Sequence, residues 1–173
     1  MPAETTSDRG AIDLDALPRA EFDRVVGRLF EQAPGFAARL WSARPFGSDE
    51  SFIAEARRIA RAMPEAAQIE LVNAHPRLGA SPATVSSASF VEQGYDRPAS
   101  SPDGDAAREL ERLNEAYEAR FGFRYCVFVA GRAPSELIPE FSAALGRDRH
   151  AELHRAIDAA VDIGADRLAK MVR

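Results

Sequence analysis

The 173-residue sequence predicts an all-α fold, a single-domain bundle of about eight helices. Three observations lead there. Apolar residues recur at intervals of three and four through most of the chain, the spacing that lines one face of a helix. Proline and glycine fall mostly between these segments and so punctuate them. Only Phe123 to Val129 has the β-branched and aromatic character of a strand, and one strand alone has nothing to pair with.

In chain order, residues 1–10 read as a polar, flexible lead-in and 11–173 as the helical domain. Phe22, Val25, Val26, Leu29 and Phe30 form the first amphipathic stripe. Pro34 breaks it, and a short helix carrying Phe36, Leu40 and Trp41 follows and ends before Pro45. Ser48-Asp49-Glu50 is a helix start, a capping serine followed by acids near the positive end of the dipole. Phe52, Ala56, Ile59, Ala60 and Met63 then share a face. Pro64 opens Glu65 to Ala74, and Ser81-Pro82 opens another helix. Ser86 to Tyr95 is helical; Asp96 to Gly104, rich in Pro, Ser, Asp and Gly, is a loop. Ala107 to Arg120 is a strong helix stopped by Gly122. Phe123 to Val129 reads as an extended or partly helical segment buried against the core. Ala133-Pro134-Ser135-Glu136 opens a helix closed by Gly146, and Asp148 caps the last one, with Leu153, Ile157, Ala160, Gly164, Leu168 and Met171 on one side.

Bulk properties exclude several classes. A net charge of −5, with both signs mixed along the chain, lacks the basic field of a nucleic-acid binder. The single cysteine, Cys126, has no internal disulfide partner, which suits a reducing, cytoplasmic setting. No apolar segment resembles a secretion signal or a membrane span.

Few residues invite chemistry. His75 precedes Pro76, which disfavours helical geometry at the histidine and sets its imidazole at a helix mouth before the turn at Gly79. Its ordinary pKa suits proton transfer near neutrality; a polar helix end explains it equally well. Ser89-x-x-Glu92 has the form of a capping box, which accounts for both residues without any ligand; Gln93 beside it offers donors and an acceptor. His150 and His154 stand one turn apart, but the intervening glutamate is misplaced for a zinc hydrolase, and Asp148, Arg149 and Arg155 make a solvated face the simpler reading. Cys126 sits in an apolar run as an inert core thiol. Arg167 reads as a surface arginine near a helix C-terminus.

Together, Asn73-Ala74-His75-Pro76-Arg77-Leu78-Gly79, Ser89-x-x-Glu92-Gln93 and Leu113-Asn114-x-x-Tyr117-x-x-Arg120-Phe121-Gly122-Phe123 resemble the 2-oxo-4-hydroxy-4-carboxy-5-ureidoimidazoline (OHCU) decarboxylases of urate breakdown. Leu29-Phe30-Glu31 and Ile163-Gly164-Ala165-Asp166-Arg167-Leu168 extend the likeness over nearly the whole chain. The resemblance implies an all-helical enzyme, a homodimer, with no cofactor and no metal, forming (S)-allantoin after a separate hydroxyisourate hydrolase has acted. It implies His75 and Glu92 as the catalytic pair. Pro76, Ser89, Gln93, Phe121, Gly122, Phe123, Arg124, Tyr125 and Arg167 match substrate-binding positions. Tyr125-Cys126 departs from the larger or β-branched residues common there, and the loop from Asp96 to Asp105 is this chain's own.

Loss of carbon dioxide beside a ring carbonyl would leave an enolate, needing neither metal nor pyridoxal. The expectation is that amides of Phe121 to Tyr125 stabilise it, that His75 protonates one face as general acid, and that Glu92 fixes the imidazole tautomer and raises its pKa. Gln93 and Arg167 would hold ureido and carbonyl groups. The competing readings are a non-catalytic helical scaffold and a related ureido or imidazoline hydrolase.

Overall fold

Nearly every apolar stripe of the sequence becomes a helix in the computed structural model, which describes residues 12–97 and 102–171. The helices are α1 (Arg19–Leu29), α2 (Pro34–Ser42), α3 (Asp49–Ala62), α4 (Glu65–Ala74), α5 (Ser87–Glu92), α6 (Gly104–Phe121), α7 (Ile138–Ala144) and α8 (Arg149–Met171). Among the described residues there is no strand, and no helix is long and apolar enough to cross a membrane. The expected lead-in, residues 1–10, and the middle of the expected Asp96 to Gly104 loop lie outside the described residues.

The caps do what their side chains allow. Ser48 accepts the Ser51 amide at 3.1 Å, Asp103 the Ala106 amide at 2.9 Å and Asp148 the Ala151 amide at 3.0 Å. Gly122 ends α6 at φ +80°, a conformation that costs glycine nothing. Ser81-Pro82 yields only a 3-10 turn, Pro82–Thr84: the Ser81 side chain makes no cap bond, and Val85 turns extended to reach the true cap of α5, Ser86.

The long α8 packs against α1, α3 and α4. Gly164 makes its approach to α1 possible. A methyl group there would lie 2.3 Å from Phe30 Cε1, inside van der Waals contact, so only glycine admits the Phe30 ring. Phe30 in turn packs edge-on to Phe36, ring centroids 5.0 Å apart. Arg57 and Arg61 of α3 reach Asp158 of α8 at 3.2 and 2.6 Å. A second aromatic cluster centres on Tyr117, with Phe121, Phe123, Tyr125 and Phe141 around it. Phe123 to Val129 leaves that cluster without regular secondary structure, tied to the end of α4 by Arg124 and to α8 by Arg155.

Candidate active site

His75 closes α4 in extended backbone, φ −78° and ψ 144°, as Pro76 requires. The turn after it is over-determined. Gln93 accepts the Gly79 amide at 2.7 Å and donates to the Arg77 carbonyl at 3.2 Å. Asn114 donates to the Leu78 carbonyl at 2.9 Å, and Tyr95 donates to the Ala80 carbonyl. Arg124 Nη1 donates to the carbonyls of Asn73 and His75 at 2.9 and 3.1 Å. Arg77 ties the turn to α6 through Glu118 at 2.8 and 2.7 Å.

The His75 ring is buried, with Nδ1 3.0 Å from the Leu71 carbonyl oxygen. A carbonyl only accepts, so Nδ1 carries the proton and Nε2 keeps its lone pair. Nε2 is buried and has no hydrogen-bond partner among the described residues. Burial pushes the imidazolium down to about 4, outweighing the help of the Leu71 carbonyl, with Arg167 lowering it further and Glu31 opposing. His75 is therefore neutral at pH 7, a proton acceptor set in a cavity wall.

Arg167 organises the facing wall. It is 6% exposed, against the surface position read from sequence, because Gly164 one turn earlier brings α8 onto the end of α1. Nε and Nη2 grip both oxygens of Glu92 at 2.6 and 2.8 Å, a fork-to-fork pair. Nη1 donates to the Arg28 carbonyl at 2.9 Å and the Leu29 carbonyl at 3.4 Å. Nη2 also donates to Glu31 at 2.7 Å and lies 3.2 Å from Ser89 Oγ. All five N–H groups are thus committed. Glu31 Oε1 receives, besides Arg167, the hydroxyls of Ser86 at 2.7 Å and Ser89 at 2.6 Å. Burial pushes the Glu31 pKa up, but the two serines and Arg167 together bring it below the usual carboxylate value.

These facts correct two expectations and narrow a third. Ser89-x-x-Glu92 is not a capping box: α5 starts at Ser87, Ser86 Oγ accepts the Ser89 amide at 3.1 Å, and both box residues turn instead to Arg167 and Glu31. Glu92 neither bonds to His75 nor raises its pKa; both Glu92 oxygens are on Arg167, and the Leu71 carbonyl sets the tautomer. Gln93 spends its oxygen and one N–H on the His75 turn, leaving one N–H for anything else.

A cavity of about 40 Å³ joins the two walls, lined by His75, Pro76 and Leu78 on one side and Ser89, Glu92, Gln93, Ile163 and Arg167 on another. That is room for a few water molecules, and the cavity is open on one side to solvent. The remaining wall is Tyr125, Cys126, Val127, Phe128 and Val129. This shifts the expected Phe121 to Tyr125 segment by several residues. Phe121 and Phe123 fill the aromatic cluster, Gly122 is the helix stop, and Arg124 braces the His75 turn, its amide on Asn73 Oδ1 at 2.8 Å. Only Tyr125 of the five reaches the cavity. The N–H groups of Tyr125 to Val129 have no hydrogen-bond partner among the described residues. Val127 to Val129 read as core in the sequence because an apolar run shows side chains and hides its backbone. Cys126 is buried in this wall, and burial pushes its thiol up to about 12, so it is inert. Among the described residues no cluster of His, Cys, Asp or Glu could hold a metal, and His150 and His154 simply neighbour each other at the start of α8.

Comparison with known proteins gives a consistent result. Residues 15–169 match the family model described as OHCU decarboxylase. The chain is 28% identical over 163 residues to a 2-oxo-4-hydroxy-4-carboxy-5-ureidoimidazoline decarboxylase from Amia calva, covering 92% of this chain and 93% of that one. A putative decarboxylase of the same name from Homo sapiens is 30% identical over 164 residues, covering 92% and 94%. A crystal structure of OHCU decarboxylase in the presence of (S)-allantoin superposes with a TM-score of 0.68 at 21% identity, covering 86% of this chain and 97% of that chain, and shares its fold.

Proposed function

The chain belongs to the OHCU decarboxylase family, and from that premise we propose that it converts OHCU to (S)-allantoin with His75 as the proton carrier between substrate oxygen and carbon. The observation that carries this is the neutral His75: its Nδ1 proton is committed to Leu71 and its Nε2 lone pair is buried without a partner in the cavity wall.

The substrate's name fixes the electron flow. C4 holds both the hydroxyl and the carboxylate and is saturated, so the one C=N bond of the imidazoline ring is C5=N1. The electron sink is therefore that imine, and not a carbonyl beside the carboxylate. When the C4–carboxylate bond breaks, its pair forms C4=C5, the imine pair moves to N1, which is protonated, and carbon dioxide leaves. The 4-hydroxyl is now an enol. His75 Nε2 takes its proton, giving the enolate, and returns it to C5, leaving C4=O and a new C–H bond. Per turnover the carboxylate departs as carbon dioxide and one proton is taken up from water. His75 thus begins as a base and finishes as the expected acid. Its low pKa makes it a weak base in the empty site. The enolate left when it takes the proton is the negative charge that favours the imidazolium until the proton passes to C5.

Glu92 faces the substrate as an acceptor for ring and ureido N–H groups, held by Arg167. With every N–H committed, Arg167 positions Glu92 and does not itself bind substrate. The amides of Tyr125 to Val129 face the oxygen on which charge develops, where fixed donors in a closed site act most strongly. The assembly we propose is a homodimer, as the resemblance implies, in the cytoplasm; light scattering reporting a single chain mass would reject the dimer.

The test is an in situ assay. Urate oxidase and hydroxyisourate hydrolase generate OHCU from urate, and circular dichroism follows allantoin. Rapid appearance of the S enantiomer, reduced to the slow racemic background by His75→Ala, is expected. Racemic product at the background rate with the unaltered protein refutes the reading and favours a non-catalytic scaffold.

A further inference from the structure

The amides that face the enolate lie on a segment with no neighbouring strand, so no β-ladder sets their direction. At its centre one side chain does. Arg155, on α8, donates from Nη1 to the Cys126 carbonyl at 2.9 Å. Across a planar trans peptide, the carbonyl of one residue and the N–H of the next point in opposite directions. Fixing the Cys126 carbonyl on Arg155 therefore fixes the Val127 N–H away from Arg155, while farther along α8 Ile163 and Arg167 line the cavity that Val127 also lines.

Arg155 cannot easily swing. Nε donates to Glu152 at 2.7 Å, and the guanidinium lies over the Tyr125 ring, 4.8 Å from its centroid. Glu152 is fully buried and is held from its far side by the Tyr117 hydroxyl at 2.9 Å and by Arg147 at 3.3 Å. Burying a carboxylate with a guanidinium is costly, and an apolar pair of similar volume would pack as well or better. Packing thus accounts for neither the charge nor its reach to a main-chain carbonyl at the cavity.

Resting on the decarboxylase reading above, we infer that Arg155, anchored by Glu152, is a positioning residue that aims the Val127 N–H at the enolate oxygen. It touches no substrate and acts through the plane of one peptide bond. The chain of contacts runs from the aromatic cluster at Tyr117, through two buried charges, to the cavity wall.

The test pairs kinetics with an amide probe. The double variant Glu152→Gln/Arg155→Met removes both charges while leaving Tyr117 an acceptor. Arg155→Lys keeps the charge but shortens the reach. The double variant is expected to melt within a few degrees of the unaltered protein, with kcat reduced about tenfold or more and KM changed less than about threefold, as befits a donor that works mainly in the transition state. Arg155→Lys falls between. In ¹⁵N-edited spectra of the unaltered protein, (S)-allantoin is expected to shift the Val127 amide. In the double variant that response should be lost while His75 ring signals still respond. A folded double variant with unchanged kcat and an unchanged Val127 response overturns the inference. So does a Val127 amide that ignores allantoin in an active, unaltered protein, and that measurement decides alone should the variants fail to fold. Failure of the unaltered protein to decarboxylate OHCU would instead strike the functional reading, since it is measured separately.

Discussion

Acidification separates the two ways His75 could work. With the ordinary imidazole pKa of 6.5, about nine-tenths of the histidine would be protonated at pH 5.5, and a reaction needing neutral Nε2 would slow about tenfold. With burial holding it at about 4, all but a few per cent stays neutral at pH 5.5. The structure therefore predicts nearly constant kcat/KM from pH 7.5 to 5.5 and an acid limb only near pH 4. Stability follows the same group. The unfolded chain binds this proton at higher pH than the folded one, so the contribution is fully present above about pH 6.5 and lost as pH falls toward 4. The whole span corresponds to about 3 kcal/mol, of which about 1 is lost by pH 5.5. Denaturation midpoints should show that slope, and His75→Asn should flatten it. The assay forms OHCU at pH 7.5, jumps it into buffer at each pH with excess enzyme, and follows allantoin by circular dichroism over seconds. A kcat/KM midpoint between pH 6 and 7 would refute the buried, neutral imidazole and restore a charged His75 as the starting acid.

Three further perturbations probe the facing wall. Glu92→Gln leaves an amide against the Arg167 fork and should lower kcat/KM about a hundredfold, the scale of a lost positioned group; near-normal turnover would reduce Glu92 to a structural role. Glu31→Gln weakens the second carboxylate on Arg167 and its grip on Ser86 and Ser89. It should cost about 1–3 kcal/mol in urea denaturation, with kcat falling more than KM rises, and unaltered kinetics would sever Glu31 from the site. Gly164→Ala places a methyl against Phe30 and should destabilise by about 1–3 kcal/mol. It should also lower kcat by displacing Arg167 one turn away; full activity in a destabilised variant would show that α8 does not carry the site's geometry.

The helices were legible because their signals are local. Stripes such as Phe52, Ala56, Ile59 and Met63, and caps such as Ser48 and Asp148, act within a turn or two of themselves. The candidate site was half legible for the same reason. His75 could be placed because Pro76 fixes its backbone, and Gly79 and Gly122 could be placed because their conformations exclude most side chains. Arg167 could not, since its burial depends on the Phe30 ring fitting over Gly164, a contact across most of the chain. Glu31 escaped for a second reason: it sits at φ +54° without being glycine, held by Ser86 and Ser89 at the start of α5 and by Arg167 of α8. Ser89-x-x-Glu92 misled because a capping box and an arginine clamp use the same polar pair at the same spacing, and only the real cap at Ser86 decides between them. The hardest part to read was the stretch from Tyr125 to Val129. The chemistry proposed for it lies in main-chain N–H groups that every residue there possesses, and the peptide planes are held by Arg155, far away in sequence, on the Cys126 carbonyl and by Arg132 on the Phe128 and Val129 carbonyls. A proton carrier announces itself through residue type, whereas an amide cradle is defined by what fails to pair with it, and that becomes visible only once the whole chain is folded around it.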